Sequence, residues 1–572
     1  MTLTGAQAMA RILRQHGTRT VFAYVGTSEL GLSESLITDA EATLINARGD
    51  KEAVFMAAGA AVAGARVPAA LLHGARGLTN AAGAVGDARR NEVGLLCIVG
   101  MPATRSAPFL PPHGEHGLID AVGAFAVGAA EIGAGRSDAD SYRFVEALRQ
   151  ALARVETRPF GPVLFGVPQD AAEEHWVPEA AVEAGAVRRP PAPAPLPAGV
   201  LERARAMIER SSRPLILVDD YFLRYDRARE SLREFCRRTR AAVAQVRYKR
   251  GPMLFEQLSA ADLPHCVGPW PPAPREAARF FDDVDLLITL EDRHFYRRVV
   301  GELPTCPKVA ISSAPHLTRK NGYLKEDDLL IGGDVAELLA EIGGSLDRDG
   351  SGESWLVAPG HPPPTANSRH GIARAVGDAL RAVSSPVLID DSQMFGGLIA
   401  EAYVYLPPGM RVFGSHGGFV GSGIGYAVGH ALADPRSPVL CLLGDSAFTN
   451  GVQGMIVAAE HRLAITFLVA NNGGSVSLRK QASASRFIRM AQAPQLSNPQ
   501  MLCYPAVAAG LGLRAETIRL DGTRISYDRA LPLLRDRLSD SLAEGRPALI
   551  EICLPDDPRF WSGIWCVRGL DE

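Results

Sequence analysis

The 572-residue sequence has no cysteine framework. Its eight cysteines (97, 236, 266, 306, 441, 503, 553, 566) are scattered, with no Cys-x-x-Cys pair and no His/Cys ligand spacing. Scattered thiols in a long chain read as reduced core or surface groups, which excludes a disulfide-stapled scaffold and a zinc-finger module. Charge of one sign is lacking too. Sixty Lys+Arg against 63 Asp+Glu leave a formal net charge of -3 spread over both signs, so neither a nucleic-acid nor a membrane partner is expected. No apolar run reaches the roughly 18–20 residues that cross a bilayer. The opening MTLTGAQAMARILRQHGTRTVF has no apolar leader region. It reads as an amphipathic helix capped by Thr4 (Ala8, Met9, Ile12, Leu13) that runs into a strand, and a cytoplasmic protein is the expectation.

What is present is ordinary globular composition, 47% hydrophobic and 22% charged, in a chain too long for one core. Two stretches read as linkers: the proline-rich RRPPAPAPLPAG (188–199) and DRDGSGESWLVAPGHPPPT (347–365). Proline-rich chain runs extended over a surface, so these cuts predict domains over 1–187, 200–346 and 366–572. Each piece holds short apolar runs separated by helical patterns. They are ALLH (70–73), LLCIVG (95–100) and PVLFGVP (162–168); PLILVD (214–219), DLLITLE (285–291) and KVAISS (308–313); and PVLIDD (386–391), PVLCLLGD (438–445), ITFLVAN (465–471) and ALIEICLP (548–555). Continuous apolar strands alternating with helices predict parallel sheets covered on both faces. The fold class is therefore α/β: three consecutive doubly wound parallel-sheet domains, with ligands beyond the carboxyl ends of strands.

Two polar clusters fall at such ends. PVLCLLGD ends at Asp445 before the helical pattern GVQGMIVAAEHR, and ITFLVAN ends at Asn471–Asn472–Gly473–Gly474. Asp445 offers an anionic oxygen, Asn472 an amide oxygen and Gly474 a backbone carbonyl, and a diphosphate can complete an octahedral shell around magnesium. Glycines 444, 473 and 474 let backbone approach phosphate. Either cluster alone also reads as turn chemistry. Two clusters on strands joined by one crossover helix are far more specific.

On these residues the chain resembles the thiamine diphosphate-dependent decarboxylase and carboligase superfamily, which includes benzoylformate decarboxylase, pyruvate decarboxylase and acetolactate synthase. The family's Gly-Asp-Gly … Asn-Asn stands here as Gly444–Asp445–Ser446 … Asn471–Asn472, so the third position departs. HGGFVGSGIGYAVGHALADP (416–435) is similar to the family's glycine-rich segment. The resemblance implies Gly418 at the cofactor and Val420 as the prop for its bent shape. It also implies a site shared between the first domain of one subunit and the third of another, hence a homodimer or homotetramer.

In the first domain, VFAYVGTSEL (21–30) resembles the family's cofactor loop, with Thr27 in contact, and LLHGARGLTNAAGAVGDA (71–88) places His73 where benzoylformate decarboxylase has a catalytic histidine. A histidine at a strand end facing a cleft suits proton transfer near neutrality. PPHGEHGLID (111–120) offers a second pair, His113 and His116, and Ile119–Asp120 fit His116 to the family pattern better. The family's glutamate against the aminopyrimidine falls on Asp50 when the match is laid without gaps, with Glu52 two residues away. Aspartate has about 1.5 Å less reach. Either Gly49 lets the backbone come closer, or Glu52 substitutes, or activation is slower or differently organised; Asp50 could also cap the helix KEAVFMAAGAAVAG.

The middle domain shows no Gly-x-Gly-x-x-Gly after any strand, so FAD is not expected there. SVSLRKQASASRFIRM after Gly474 and the closing FWSGIWCVRGL (560–570) are candidate pocket segments; Arg479 and Lys480 receive no role. The resemblance implies magnesium-dependent use of thiamine diphosphate to decarboxylate a 2-oxo acid, the enamine being protonated to an aldehyde or transferred to a carbonyl acceptor. The alternative is a non-catalytic, cofactor-binding paralogue acting as a regulatory or structural subunit.

Overall fold

A computed structural model describes residues 1–184, 196–247, 254–270, 282–346, 352–356, 368–499, 501–521, 527–557 and 559–564. The bulk of both expected linkers and the end of the closing segment lie outside the described residues. Three six-stranded parallel sheets are present, and all ten apolar runs become strands. The first sheet holds β1 (Thr20–Ala23), β2 (Thr43–Asn46), β3 (Ala69–His73), β4 (Leu95–Met101), β5 (Gly128–Glu131) and β6 (Pro162–Pro168), in the order β2-β1-β3-β4-β6-β5. The second holds β7 (Pro214–Val218), β8 (Ala242–Val246), β9 (Cys266–Trp270), β10 (Leu286–Leu290), β11 (Lys308–Ser312) and β12 (Leu329–Gly332), in the order β9-β8-β7-β10-β11-β12. The third holds β13 (Val387–Asp391), β14 (Arg411–Gly414), β15 (Val439–Gly444), β16 (Ile465–Asn471), β17 (Arg514–Arg519) and β18 (Ala548–Cys553), in the order β14-β13-β15-β16-β18-β17. The first and third sheets thus share one strand order. The second fans out both ways from β7, the order of dinucleotide-binding sheets.

The opening helix α1 (Gly5–Gln15) starts as its sequence predicts. Thr4 Oγ1 accepts the Gln7 amide at 3.1 Å and Gln7 Oε1 accepts the Thr4 amide at 3.0 Å, a reciprocal cap of the kind that contributes about 1 kcal/mol.

The chain divides into two compact units. One comprises Met1–Pro191, Ala375–Gly397 and Val412–Ser562; the other comprises Ala192–Arg374, Leu398–Arg411 and Gly563–Glu572. In the first unit, one buried cluster runs through both sheets, from Phe22, Leu72 and Val99 to Leu443, Phe467 and Val469. Its centre is a helix pair, α2 (Asp50–Val62) and α4 (Ser422–Ala433), with α3 (Gly74–Arg90) beside them. The pair is close because glycine faces backbone. A Cβ on Gly429 would stand 1.8 Å from Met56 O, and one on Gly59 would stand 2.2 Å from Tyr426 O.

Buried polar groups tie α3 to the chain leading into α4. Asp87 accepts from Ser415 Oγ at 2.7 Å, Asn91 Nδ2 at 2.9 Å and Tyr426 OH at 3.2 Å. Burial raises its carboxyl from 3.8 to about 6 against the opposing effect of these bonds. The folded state therefore holds the proton more tightly than the unfolded chain. Stability from this group is fully present below pH 4 and is lost as pH rises to about 6, on the order of 3 kcal/mol in total. The Asp87→Asn variant removes the titration. The apparent melting temperature of the wild-type chain, taken relative to the variant, should fall by a few degrees between pH 4 and pH 7; a constant difference would refute it.

In the second unit, the carboxyl ends of β7 and β10 carry buried charge where nucleotide-binding sheets carry glycine turns. Asp219 accepts the His294 amide at 2.9 Å and lies 3.1 Å from its Nδ1. Asp292, which burial raises to about 6, accepts from Thr318 Oγ1 at 2.9 Å and Tyr323 OH at 2.8 Å.

Candidate active site

Strands β15 and β16 are parallel neighbours in register from Val439–Ile465 to Gly444–Ala470, joined through α5 (Asp445–Gly451) and α6 (Gly454–Glu460). Asp445 and Asn472 therefore emerge side by side at one sheet edge. A terminal atom of the Asn472 carboxamide lies 2.7 Å from Gly474 O and 3.2 Å from Asp445 Oδ2. As nitrogen it donates to both. With the amide turned over, its oxygen stands at the same point, separated from each of the other two oxygens by roughly the 3 Å that adjacent ligands of an octahedron with 2.1 Å bonds require. The donor set fits magnesium.

Asp445 is 5% exposed, and burial raises its carboxyl while bonds from Asn498, Ser446 and Gly474 oppose the shift. Its Oδ1 accepts the Ser446 amide at 2.7 Å. Ser446 itself is exposed, so the departure from the family motif adds no bulk to the buried side. At Gly444 the nearest atom to an added Cβ is 3.7 Å away, an ordinary van der Waals separation. Gly474 is strictly required, with φ of 142° and a Cβ position 2.2 Å from Leu496 O. Gly474→Ala should displace the carbonyl from the oxygen triad and weaken binding of magnesium with thiamine diphosphate at least about tenfold by calorimetry, as loss of ligand orientation does. Unchanged affinity would remove Gly474 from the ligand set.

Sequence reasoning missed Asn498. Its Nδ2 donates to Asp445 Oδ2 at 2.7 Å and to Asn471 Oδ1 at 3.1 Å. Its chain is pinned by its own amide on Gly473 O at 3.1 Å. Nothing in its local sequence signals this, because the partners lie far away in the chain. Arg479, given no role, bonds Ser497 Oγ at 2.7 Å and stands 3.6 Å from Asp556.

The glycine-rich segment is held from β13. Asp391, wholly enclosed and raised well above the usual carboxylate range by burial, accepts the amides of Gly421 at 2.8 Å and Gly423 at 2.9 Å. These fix the turn that follows Val420, which is half-buried and whose carbonyl accepts Asn450 Nδ2 at 2.5 Å. Gly418, at φ of 70°, is exposed with nothing within 4 Å of an added Cβ.

The first-domain residues gather around the end of β3. His73 Nδ1 stands 2.7 Å from Glu29 Oε2, and its backbone amide donates to Asp50 Oδ1 at 3.2 Å. Asp50 is buried, its carboxyl raised mainly by that burial. It is the first residue of α2 and not its cap, which is Gly49. Glu52 turns the other way: Oε1 accepts Gln453 Nε2 at 2.5 Å and pairs with Lys51. A Cβ on Gly49 would stand 2.2 Å from Glu52 Oε2, so the glycine makes room for Glu52 and does not lengthen the reach of Asp50. His113, not His116, joins the cluster. Its ring centroid is 4.1 Å from that of His73 and its carbonyl accepts the Ala75 amide at 2.9 Å. That bond folds the loop back over β3 and leaves His116 exposed, as is Thr27.

Comparison with known proteins points the same way. Residues 3–124 match the family described as "Thiamine pyrophosphate enzyme, N-terminal TPP binding domain" and residues 397–552 the corresponding C-terminal TPP binding domain. The chain is 24% identical over 542 residues to the acetolactate synthase isozyme 1 large subunit of Escherichia coli, covering 89% of this chain and 88% of that one. It is 33% identical over 145 residues to benzoylformate decarboxylase of Pseudomonas aeruginosa, covering 25% of each. Its fold is similar to that of the thiamine diphosphate-dependent 4-hydroxybenzoylformate decarboxylase of Rhodococcus jostii RHA1, with a TM-score of 0.76 at 17% identity over 97% of this chain and 100% of that one. With both cofactor-domain signatures in place and relatives matched along most of its length, the chain belongs to the thiamine diphosphate-dependent decarboxylase and carboligase superfamily.

Proposed function

We propose that the chain decarboxylates a 2-oxo acid with thiamine diphosphate and magnesium, giving an aldehyde or, with a carbonyl acceptor, an acyloin-type product. The observation that carries this reading is the oxygen triad of Asp445, Asn472 and Gly474 in the same compact unit as the Asp50–His73–His113 cluster. Thiamine diphosphate supplies a carbon nucleophile and an electron sink when bound. The protein's part is to hold and to move protons. Asp445, Asn472 and Gly474 hold the metal, and Gly444 and Ser446 leave the diphosphate access. Val420, just ahead of the two glycine amides that Asp391 holds, supports the cofactor's middle, with Gly418 and Thr27 alongside. Asp50 faces the aminopyrimidine as proton relay. His73, with the tilted His113 ring against it, gives or takes the substrate's proton.

The middle unit serves without a flavin in this reading, because a phosphate at the ends of β7 and β10 would meet Asp219, Glu291 and Asp292 in place of glycine amides. Assembly as a homodimer or homotetramer is part of the proposal. It is supported by exposed apolar side chains at Phe487, Ile488 and Met501. Among the described residues no helix is long and apolar enough to cross a membrane, and a cytoplasmic location is proposed.

The test is a panel of 2-oxo acids with both cofactors, reading CO2, aldehyde and acyloin. Turnover of at least one acid is expected. Tight cofactor binding without CO2 release from any acid would leave the cofactor-binding paralogue as the better reading.

A further inference from the structure

We propose that Glu29 is the positioning residue that sets the ring tautomer and orientation of His73; this rests on the reading of His73 as the proton-handling group. Glu29 has no exposed surface. A buried carboxylate must have its oxygens satisfied, and here both are. Oε2 accepts the Gly26 amide at 2.9 Å and lies 2.7 Å from His73 Nδ1, while Oε1 accepts from Ser28 Oγ. An acceptor fixed at Nδ1 requires that nitrogen to carry the hydrogen. The neutral ring then presents Nε2 unprotonated, and Nε2 makes no hydrogen bond to the described protein.

Two glycines keep this arrangement sterically possible. A Cβ on Gly26 would stand 2.1 Å from His73 Nδ1, and one on Gly100, on the neighbouring strand β4, would stand 2.1 Å from Glu29 Oε1. The His113 ring closes one face of the imidazole at 4.1 Å between centroids. Ser28 Oγ, 3.3 Å from Nδ1, is the competing partner that Glu29 draws away by accepting its hydrogen bond. The ring thus has one edge locked by charge and the other free. A carboxylate behind a histidine plays this part wherever one tautomer must be selected for proton transfer.

The test compares the cofactor-loaded wild type with Glu29→Gln and Glu29→Asp, using nitrogen NMR of selectively labelled histidine, with His73→Ala to identify the signal. The wild type should show His73 protonated at Nδ1. In Glu29→Gln, whose amide can donate to Nδ1, the Nε2-protonated form should become substantial. The kcat for decarboxylation should fall on the order of 10²-fold with KM changed less than threefold, and Glu29→Asp should recover part of both. An unchanged tautomer in Glu29→Gln overturns the proposal, as does a loss confined to KM. The tautomer is read without turnover, so an inactive wild type would sink the functional reading and leave this result to stand or fall alone.

Discussion

Asp445→Ala should bind thiamine diphosphate more than about 100-fold more weakly than the wild type at saturating magnesium, with no loss of the apo fold. The two halves of this expectation come from the same geometry. Asp445 is the only formal charge in the oxygen triad, and the cation's attraction to it operates in a buried, low-dielectric setting. Partners one step removed from a metal typically cost 10–100-fold when lost, so a charged ligand should cost more. Asn498→Ala supplies the graded comparison, because Asn498 only orients Asp445 Oδ2 through a 2.7 Å bond; its effect should lie within about 10–100-fold. Without metal, the carboxyl of Asp445 is raised by burial, so its removal relieves a cost in the apo protein. Calorimetry gives the affinities and thermal melting gives the apo stability. Equal affinities for Asp445→Ala and the wild type would move the cofactor's phosphates elsewhere.

The positions of Asp445 and Asn472 were legible in the sequence because each follows a strand that announces itself. PVLCLLGD and ITFLVAN are continuous apolar runs buried on both faces, which nothing but a central parallel strand explains. Edge strands gave no such signal. RAETIR became β17 and GAAE became β5, although each is partly polar and exposed, because pairing with a central neighbour outweighs their weak pattern. Asn498 could not be read for a different reason. It reaches Asp445 across 53 residues, and no short-range rule links them. The histidine pair shows a third kind of loss. Ile119–Asp120 favoured His116 in one dimension, but the backbone bond from Ala75 to His113 O folds the loop so that the other histidine meets His73. Gly49 is one of the ways the sequence offers to bring Asp50 closer; in three dimensions it clears the space over Glu52.

That last difference bears on which carboxylate serves the aminopyrimidine. Glu52 is already committed: Lys51 neutralises it, Gln453 bonds it, and its second oxygen packs over Gly49. These bonds tie α2 to the chain entering α6. Among the described residues, no Lys or Arg hydrogen-bonds or ion-pairs with Asp50. It takes the His73 amide and a bond from Asn80, and burial raises its carboxyl above the ordinary range. A carboxyl whose charged form is disfavoured, yet which keeps hydrogen-bond donors, exchanges a proton at smaller cost than one clamped in an ion pair. Asp50→Asn should therefore slow hydrogen–deuterium exchange at C2 of the bound cofactor by about 10²–10⁴-fold, the usual worth of a positioned acid–base group. Glu52→Gln should leave exchange within about threefold of the wild type and instead lower the melting temperature, because the Lys51 ammonium loses its buried partner. If Glu52→Gln alone slows exchange, the ion pair with Lys51 opens when the cofactor binds, and the shorter carboxylate is left with an entirely structural role beneath His73.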